Sequence, residues 1–194
     1  MGKDHAETKQ TLRRQMRAAR ADLSPGLVAE LGAAVCKRLL GFASFLASRA
    51  VVAYAPIDNE VDPGAAVEAT LAAGKVLYYP RFAPDGLEFL ESNPARLAPG
   101  WGAIPEPVDG RPLPAGTEGV VFLVPGVAFD PRGVRLGRGG GCYDRALARH
   151  PRAFRVGLAY EMQVVPSLPE VAWDVPMDAV VTEARVLVRK ERSP

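Results

Sequence analysis

The sequence predicts an α/β fold: three layers, with a mostly parallel, Rossmann-like sheet carrying helices on both faces. Three observations lead there. Short apolar runs alternate with helical patterns along the chain, the order that builds parallel sheets. Two of those runs, AVVAYA at 50–55 and VVFLV at 120–124, are apolar at nearly every position, as strands covered on both faces must be. A cluster of glycines, Gly137, Gly139, Gly140 and Gly141, follows the second run and precedes a helical segment. That is where such folds bare their backbone to an anion.

The elements follow in order. A first helix is expected over about Thr8 to Asp22, with Leu12, Met16, Ala19 and Leu23 on one face. Lys9, Arg13, Arg17 and Arg20 repeat the same spacing and read as a solvated basic face. Ser24 and Pro25 are an N-cap and first-turn pair, opening a second helix expected to run to about Phe45. Cys36 falls beside its apolar face and reads as inert core. The strand over 50–55 leads to a loop holding Glu60, then a helix from Asp62-Pro63 to about Ala73. A carboxylate in a loop after a strand sits where α/β sheets place ligand residues, although an exposed loop glutamate has the same sequence signature. Val76 to Pro80 and Leu87 to Leu90 read as further strands, and residues 81–118 as the least regular part. Trp101 within it is expected to cover the core, with a pocket wall as the alternative. After the strand at 120–124, a helix is expected from Tyr143 to Arg149 and a strand from Arg155 to Ala159. Short strands at Ala179 to Thr182 and Val186 to Val188 suit a terminal hairpin.

At 194 residues, the chain is expected to form a single domain, 1–194. A net charge of +2 is too small to argue for nucleic acid. Two cysteines make no disulfide framework, and the polar beginning of the chain has no apolar signal core. A cytoplasmic protein with no membrane partner is therefore expected. The histidines lack zinc-site spacing and there is no G-x-S-x-G, so neither a zinc centre nor a serine triad is expected.

The glycine stretch, VPGVAFDPRGVRLGRGGGCYDR at 124–145, carries the chemistry. Glycine lets successive N–H groups converge on one anion, and Arg135, Arg138 and Arg145 add permanent charge with a planar fork of donors. The run is neither a Walker A loop, since no Gly-Lys-Ser/Thr follows, nor G-x-G-x-x-G, since Cys142 stands where the third glycine would fall.

This run resembles the signature of the 5-formyltetrahydrofolate cyclo-ligase family. KQTLR at 9–13, YAPIDNEVD at 54–62, GWGAIPEP at 100–107 and AYEMQVVPSLPEVAWDVPMDAVVTE at 159–183 match it in the same order. The resemblance implies an ATP- and Mg2+-dependent ring closure of 5-formyltetrahydrofolate to 5,10-methenyltetrahydrofolate. It implies that ATP is bound by Lys9, Gln10, Thr11, Leu12 and Arg13 and by Arg135, Leu136, Gly137, Arg138, Gly139, Gly140, Gly141, Cys142 and Tyr143. It places the folate against Ala55, Glu60 and the Arg138 to Cys142 loop, and gives Arg138 the catalytic charge. It assigns Mg2+ to Asp144 and Asp178, although Asp174 and Asp178 taken alone read as turn residues or caps. A monomer is expected. Two departures stand out: Cys142 where the family usually has a tyrosine, and Trp173 where histidine is common. A missing ring at Cys142 is expected to reshape a pocket wall. Two other functions suit the same scaffold: a non-catalytic folate- or nucleotide-binding protein, and an acyl- or sugar-phosphate enzyme.

Overall fold

The computed structural model describes residues 2–190, with side chains from Glu7 onward. Helix α1 spans Gly2–Ala21, α2 Pro25–Leu40 and α3 Ala43–Ala47. Strand β1 (Ala50–Val52) leads through α4 (Gly64–Ala72) to β2 (Val76–Ala83) and β3 (Gly86–Glu91). Two short strands, β4 (Leu97–Pro99) and β5 (Pro105–Pro107), make a ribbon of their own. Strand β6 (Val120–Pro125) precedes a small hairpin of β7 (Ala128–Phe129) and β8 (Arg135–Leu136). Helix α5 is Cys142–Ala148; β9 (Phe154–Leu158), β10 (Ala179–Val181) and β11 (Val186–Val188) complete the chain.

The main sheet has seven strands in the order β11-β10-β9-β6-β1-β2-β3. The five central strands are parallel, and β3 and β11 close the two edges antiparallel. Alternation of side chains across each strand sorts the core into two layers. Val51, Leu77, Val121, Leu123 and Val156 face α2, α3 and α4. Val52, Tyr78, Phe122, Val124 and Val180 face α5. The expected three-layer arrangement is thus present. Helix α1 stands apart from both layers, resting Leu12 and Met16 on the β7–β8 hairpin through Ala128, Val134 and Leu136.

Several boundaries differ from the sequence reading for local reasons. The second helix stops at Leu40, because Gly41 turns its N–H back onto Arg38 O, and α3 starts afresh at Ala43. The strand expected over 50–55 ends at Val52. Tyr54 then donates its hydroxyl to Val61 O at 2.6 Å, folding the loop that follows under the strand end. The ribbon β4–β5 and the hairpin β7–β8 lie in stretches read as irregular, and strands of two or three residues leave no alternation to detect. The apolar stripe of α1 passes through Arg20, which is buried, while Ala19 is exposed. Cys36 is buried as expected, its thiol on Asp62 O and pushed up by burial.

Leu123 at the centre of β6 is fully buried, so truncating it removes transfer energy and leaves a cavity. Leu123→Ala is expected to lower the unfolding free energy by about 3 kcal/mol, with an unchanged slope in urea denaturation.

Candidate functional site

Strand β1 sends its chain to α4 and β2 on one side, while β6, its other neighbour, sends its chain to α5 and β9 on the opposite side. The carboxyl ends of β1 and β6 therefore diverge, and a crevice opens outside them. It holds a cavity of about 790 Å³, within the range of small-molecule sites. Its walls come from distant parts of the sequence: Tyr54, Ala55 and Glu60 after β1, Pro125 and Gly126 at the end of β6, the 135–144 segment, Lys9 and Arg13 of α1, and Val171 to Asp174.

The glycine segment lines this cavity. Arg135 is buried, its Nη2 2.9 Å from Asp144 Oδ2 and its guanidinium 5.5 Å from the Tyr143 ring centre. A Cβ on Gly137 would lie 2.6 Å from Arg135 Nη1, so a side chain there would push the guanidinium aside. Gly139 has φ +113°, a conformation that L side chains rarely adopt. Arg13 reaches across from α1 and donates from Nε to Gly137 O at 2.9 Å. Lys9 Nζ lies 2.8 Å from Asp174 Oδ2. Arg138 stands at the mouth, ion-paired with Asp58.

In the same lining Glu60 is buried, its Oε2 accepting the Ile57 N–H at 3.2 Å. Burial raises its pKa, and the Arg20 guanidinium, 3.8 Å from Oε1, works against that rise. Trp101 does not cover the core. It is 65% exposed, stacks on Phe82 with ring centres 4.5 Å apart, and forms a pocket wall. Trp173 is more exposed still and lines the same cavity.

The structure brings Lys9, Arg13, Ala55, Glu60, Arg135 to Tyr143 and Asp144 to one cavity. It does not bring Gln10, Thr11 or Leu12 there: Leu12 packs on the hairpin core, Gln10 faces the outer side of α1, and Thr11 is not among the lining residues. Nor does it bring Asp178, which opens β10 with its carboxylate accepting from the Arg155 N–H at the start of β9. Asp174 lines the cavity instead, and the residue after it, Val175, donates its N–H to Asp144 Oδ1 at 3.3 Å. Several lining residues escaped the sequence reading of the site, three of them with chemistry or an aromatic face to offer. Asp174 was taken for a turn residue, Glu106 lay unremarked inside GWGAIPEP, and Phe82 lay in the irregular stretch. Arg20, read as solvated, is 2% exposed and lies behind Glu60. Its signal was the spacing Leu12, Met16, Arg20, which sets it on the buried stripe of α1. Arg17 remains half-exposed, 3.5 Å from Asp58.

Among the described residues no group of three or more His, Cys, Asp and Glu could hold a metal, and no helix is long and apolar enough to cross a membrane. Asp144 and Asp174 both line the cavity, and one or two carboxylates are what a hard cation shared with phosphate oxygens uses from a protein, so the residues present fit Mg2+.

Comparison with known proteins follows the same lines. The model of the 5-formyltetrahydrofolate cyclo-ligase family matches residues 5–183. A protein of Escherichia coli K12 named 5-formyltetrahydrofolate cyclo-ligase is 34% identical over 178 residues, covering 88% of this chain and 98% of that protein. A probable 5-formyltetrahydrofolate cyclo-ligase of Caenorhabditis elegans is 27% identical, covering 94% and 96%. The solved structure of Aquifex aeolicus 5,10-methenyltetrahydrofolate synthetase superposes with a TM-score of 0.80 at 33% identity, covering 96% of this chain and 95% of that one.

The close approach at Gly137 makes a test. Gly137→Ala is expected to lower the unfolding free energy by about 1 kcal/mol in urea denaturation, by displacing Arg135 and its hydrogen bond to Asp144. Gly26→Ala, with nothing within 4 Å of the new Cβ, is expected to cause no such loss.

Proposed function

The chain belongs to the 5-formyltetrahydrofolate cyclo-ligase family, and on that premise we propose that it closes 5-formyltetrahydrofolate to 5,10-methenyltetrahydrofolate at the expense of ATP, with Mg2+. The observation that carries this reading is the mixed lining of one cavity. It offers a buried carboxylate together with arginines, a lysine and glycine backbone.

The chemistry fits that lining. The Glu60 carboxylate can accept two N–H bonds from the amino-pyrimidine edge of a pterin. Lys9, Arg13, Arg135 and the N–H groups of residues 137–141 take the triphosphate. Asp144 and Asp174 hold Mg2+, which screens the phosphate charge when bound. Asp174 thus takes the role that the resemblance had given to Asp178.

The N5-formyl group is amide-like, so its carbon is a poor electrophile and its oxygen a poor leaving group. Transfer of the γ-phosphoryl to that oxygen releases ADP and turns the oxygen into a phosphate ester. The N10 lone pair then forms the new C–N bond. N10 loses its proton, the C–O bond breaks with its electron pair, and phosphate departs. What remains is the N5=CH–N10 cation. The protein contributes alignment and charge rather than a covalent intermediate. Arg138 leaves Asp58 to stabilise charge on the transferring phosphoryl group. Tyr143 and Pro125 line the cavity and help keep water from the activated carbon. Cys142 lies beside Gly140 and Arg145, and its smaller side chain leaves room where a second ring would stand.

The direct test is absorbance of the purified protein with 5-formyltetrahydrofolate, Mg2+ and ATP. Methenyl product that appears only with both ATP and Mg2+ is the expected result; folate binding without turnover would replace an enzyme with a binding protein. Arg138→Ala is expected to lower kcat about 100-fold with little change in ATP affinity, because its work lies in the transition state. Comparable losses in both would reduce it to a binding residue. Glu60→Gln is expected to raise the folate KM about tenfold and leave the ATP KM unchanged, and steady-state kinetics with each substrate varied in turn would measure both.

A further inference from the structure

Arg20 belongs to no part of the reaction just described, yet it is the largest charged side chain removed from water in the molecule. Its Nε donates to Asp58 O at 2.8 Å and its Nη1 to Gly126 O at 3.2 Å. Its Nη2 is buried, finds no hydrogen-bond partner among the described residues, and lies 3.8 Å from Glu60 Oε1. The guanidinium therefore touches three structures at once: the loop after β1, the chain leaving β6, and the Glu60 carboxylate.

The loop it holds is one that needs holding. Asp58 and Asn59 take φ of 51° and 57°, left-handed values that cost energy in a non-glycine residue. The Arg20 bond to Asp58 O fixes the first of them. Asn59 Nδ2 returns to Arg20 O at 3.2 Å and fixes the second. Two left-handed residues in succession turn the chain so that Glu60 comes back to cap the Ile57 N–H and line the cavity.

We propose that Arg20 is a positioning residue for the Glu60 part of the site: it holds the 57–60 loop in its left-handed turn and keeps the Glu60 carboxylate directed at the bound pterin. The inference rests on the folate reading above and adds the group that makes Glu60 usable. A carboxylate buried alone takes up a proton, and a protonated carboxyl loses half of its capacity to accept N–H bonds from a pterin edge. The groups facing Glu60 come from five places: Arg20 of α1, Arg138 of the glycine segment, Asp58 of its own loop, Tyr54 after β1 and Tyr143 of α5. Burial is the largest influence and raises the pKa; Arg20 comes next and lowers it, ahead of Arg138. Asp58 raises it, and neither tyrosine can supply a positive charge. Arg20 is thus the principal cation holding this carboxylate in its charged form.

The test is a cycle of variants, Arg20→Met, Arg20→Lys, Glu60→Gln and the Arg20→Met/Glu60→Gln double variant, read by kinetics with each substrate varied. Arg20→Met is expected to raise the folate KM about tenfold and leave the ATP KM in place. The acidic limb of its kcat/KM profile for folate moves to higher pH, because burial then raises the Glu60 pKa with less opposition. Arg20→Lys keeps the charge but loses the planar fork, so the limb stays and the folate KM still rises. In the Glu60→Gln background the limb is gone, and removing Arg20 adds less than about twofold to the folate KM. A limb that does not move, folate and ATP constants that rise together, or single effects that simply multiply would each reduce Arg20 to a strut and overturn the proposal. If Arg20→Met does not fold, Arg20→Lys decides: an unchanged folate KM in a folded lysine variant overturns it equally. Should the unmodified protein fail to turn over folate, the functional reading falls first and the inference falls with it.

Discussion

Everything at this site depends on a constraint of parallel sheets. A strand leaving the carboxyl edge must return by a crossover, and two neighbours that cross in opposite directions leave a gap between them that nothing in the sheet can fill. Here the neighbours are β1 and β6. The gap must be walled by segments from elsewhere, and the chain supplies α1, the glycine segment and the 171–174 turn. Those walls carry charge because they face solvent and ligand rather than core. Helix α1 shows what this costs the fold. It sits outside both layers, rests on a two-residue hairpin, and buries an arginine to stay there. Its packing is that of a wall rather than of a core helix.

The sheet was legible in the sequence because its central strands are apolar on both faces. Val120 to Val124 needed no partner to be recognised, and the alternation of strands with helices gave the layers. What the sequence concealed depends on contacts made at a distance. Asp174 and Asp178 stand four residues apart in one motif, WDVPMD, and both look like turn residues. Only the fold separates them: Asp178 opens β10 against the start of β9, while the turn before it carries Asp174 to Lys9 and Val175 to Asp144. Trp101 looked like core because large aromatics usually are core, whereas a short ribbon presents it at a cavity mouth beside Phe82. Arg20 was concealed differently. The periodicity that found the buried stripe of α1 also contains Arg20, but charge overrode spacing in the reading, and the guanidinium's partners are carbonyls that composition cannot display.

The cavity is nearly neutral by construction. Lys9 is paired with Asp174, Arg135 with Asp144, Arg138 with Asp58 and Arg20 with Glu60. A polyanion entering such a site meets Arg13, held only on a carbonyl, and otherwise exchanges partners with carboxylates already in place. Exposure decides which pairs can exchange. Arg138 and Asp58 are 43% and 50% exposed at their side chains, so water replaces the lost partner cheaply, and the pair is worth little by itself. Separating Arg20 from Glu60 would leave two charges without solvent, a cost of about 3–5 kcal/mol when a buried pair is broken from one side. The first pair can therefore exchange partners and the second cannot. The exposed arginine is the one that water and a ligand can reach, while the cation behind Glu60 is fixed by two carbonyls and a buried carboxylate. The burial of each pair sets that division.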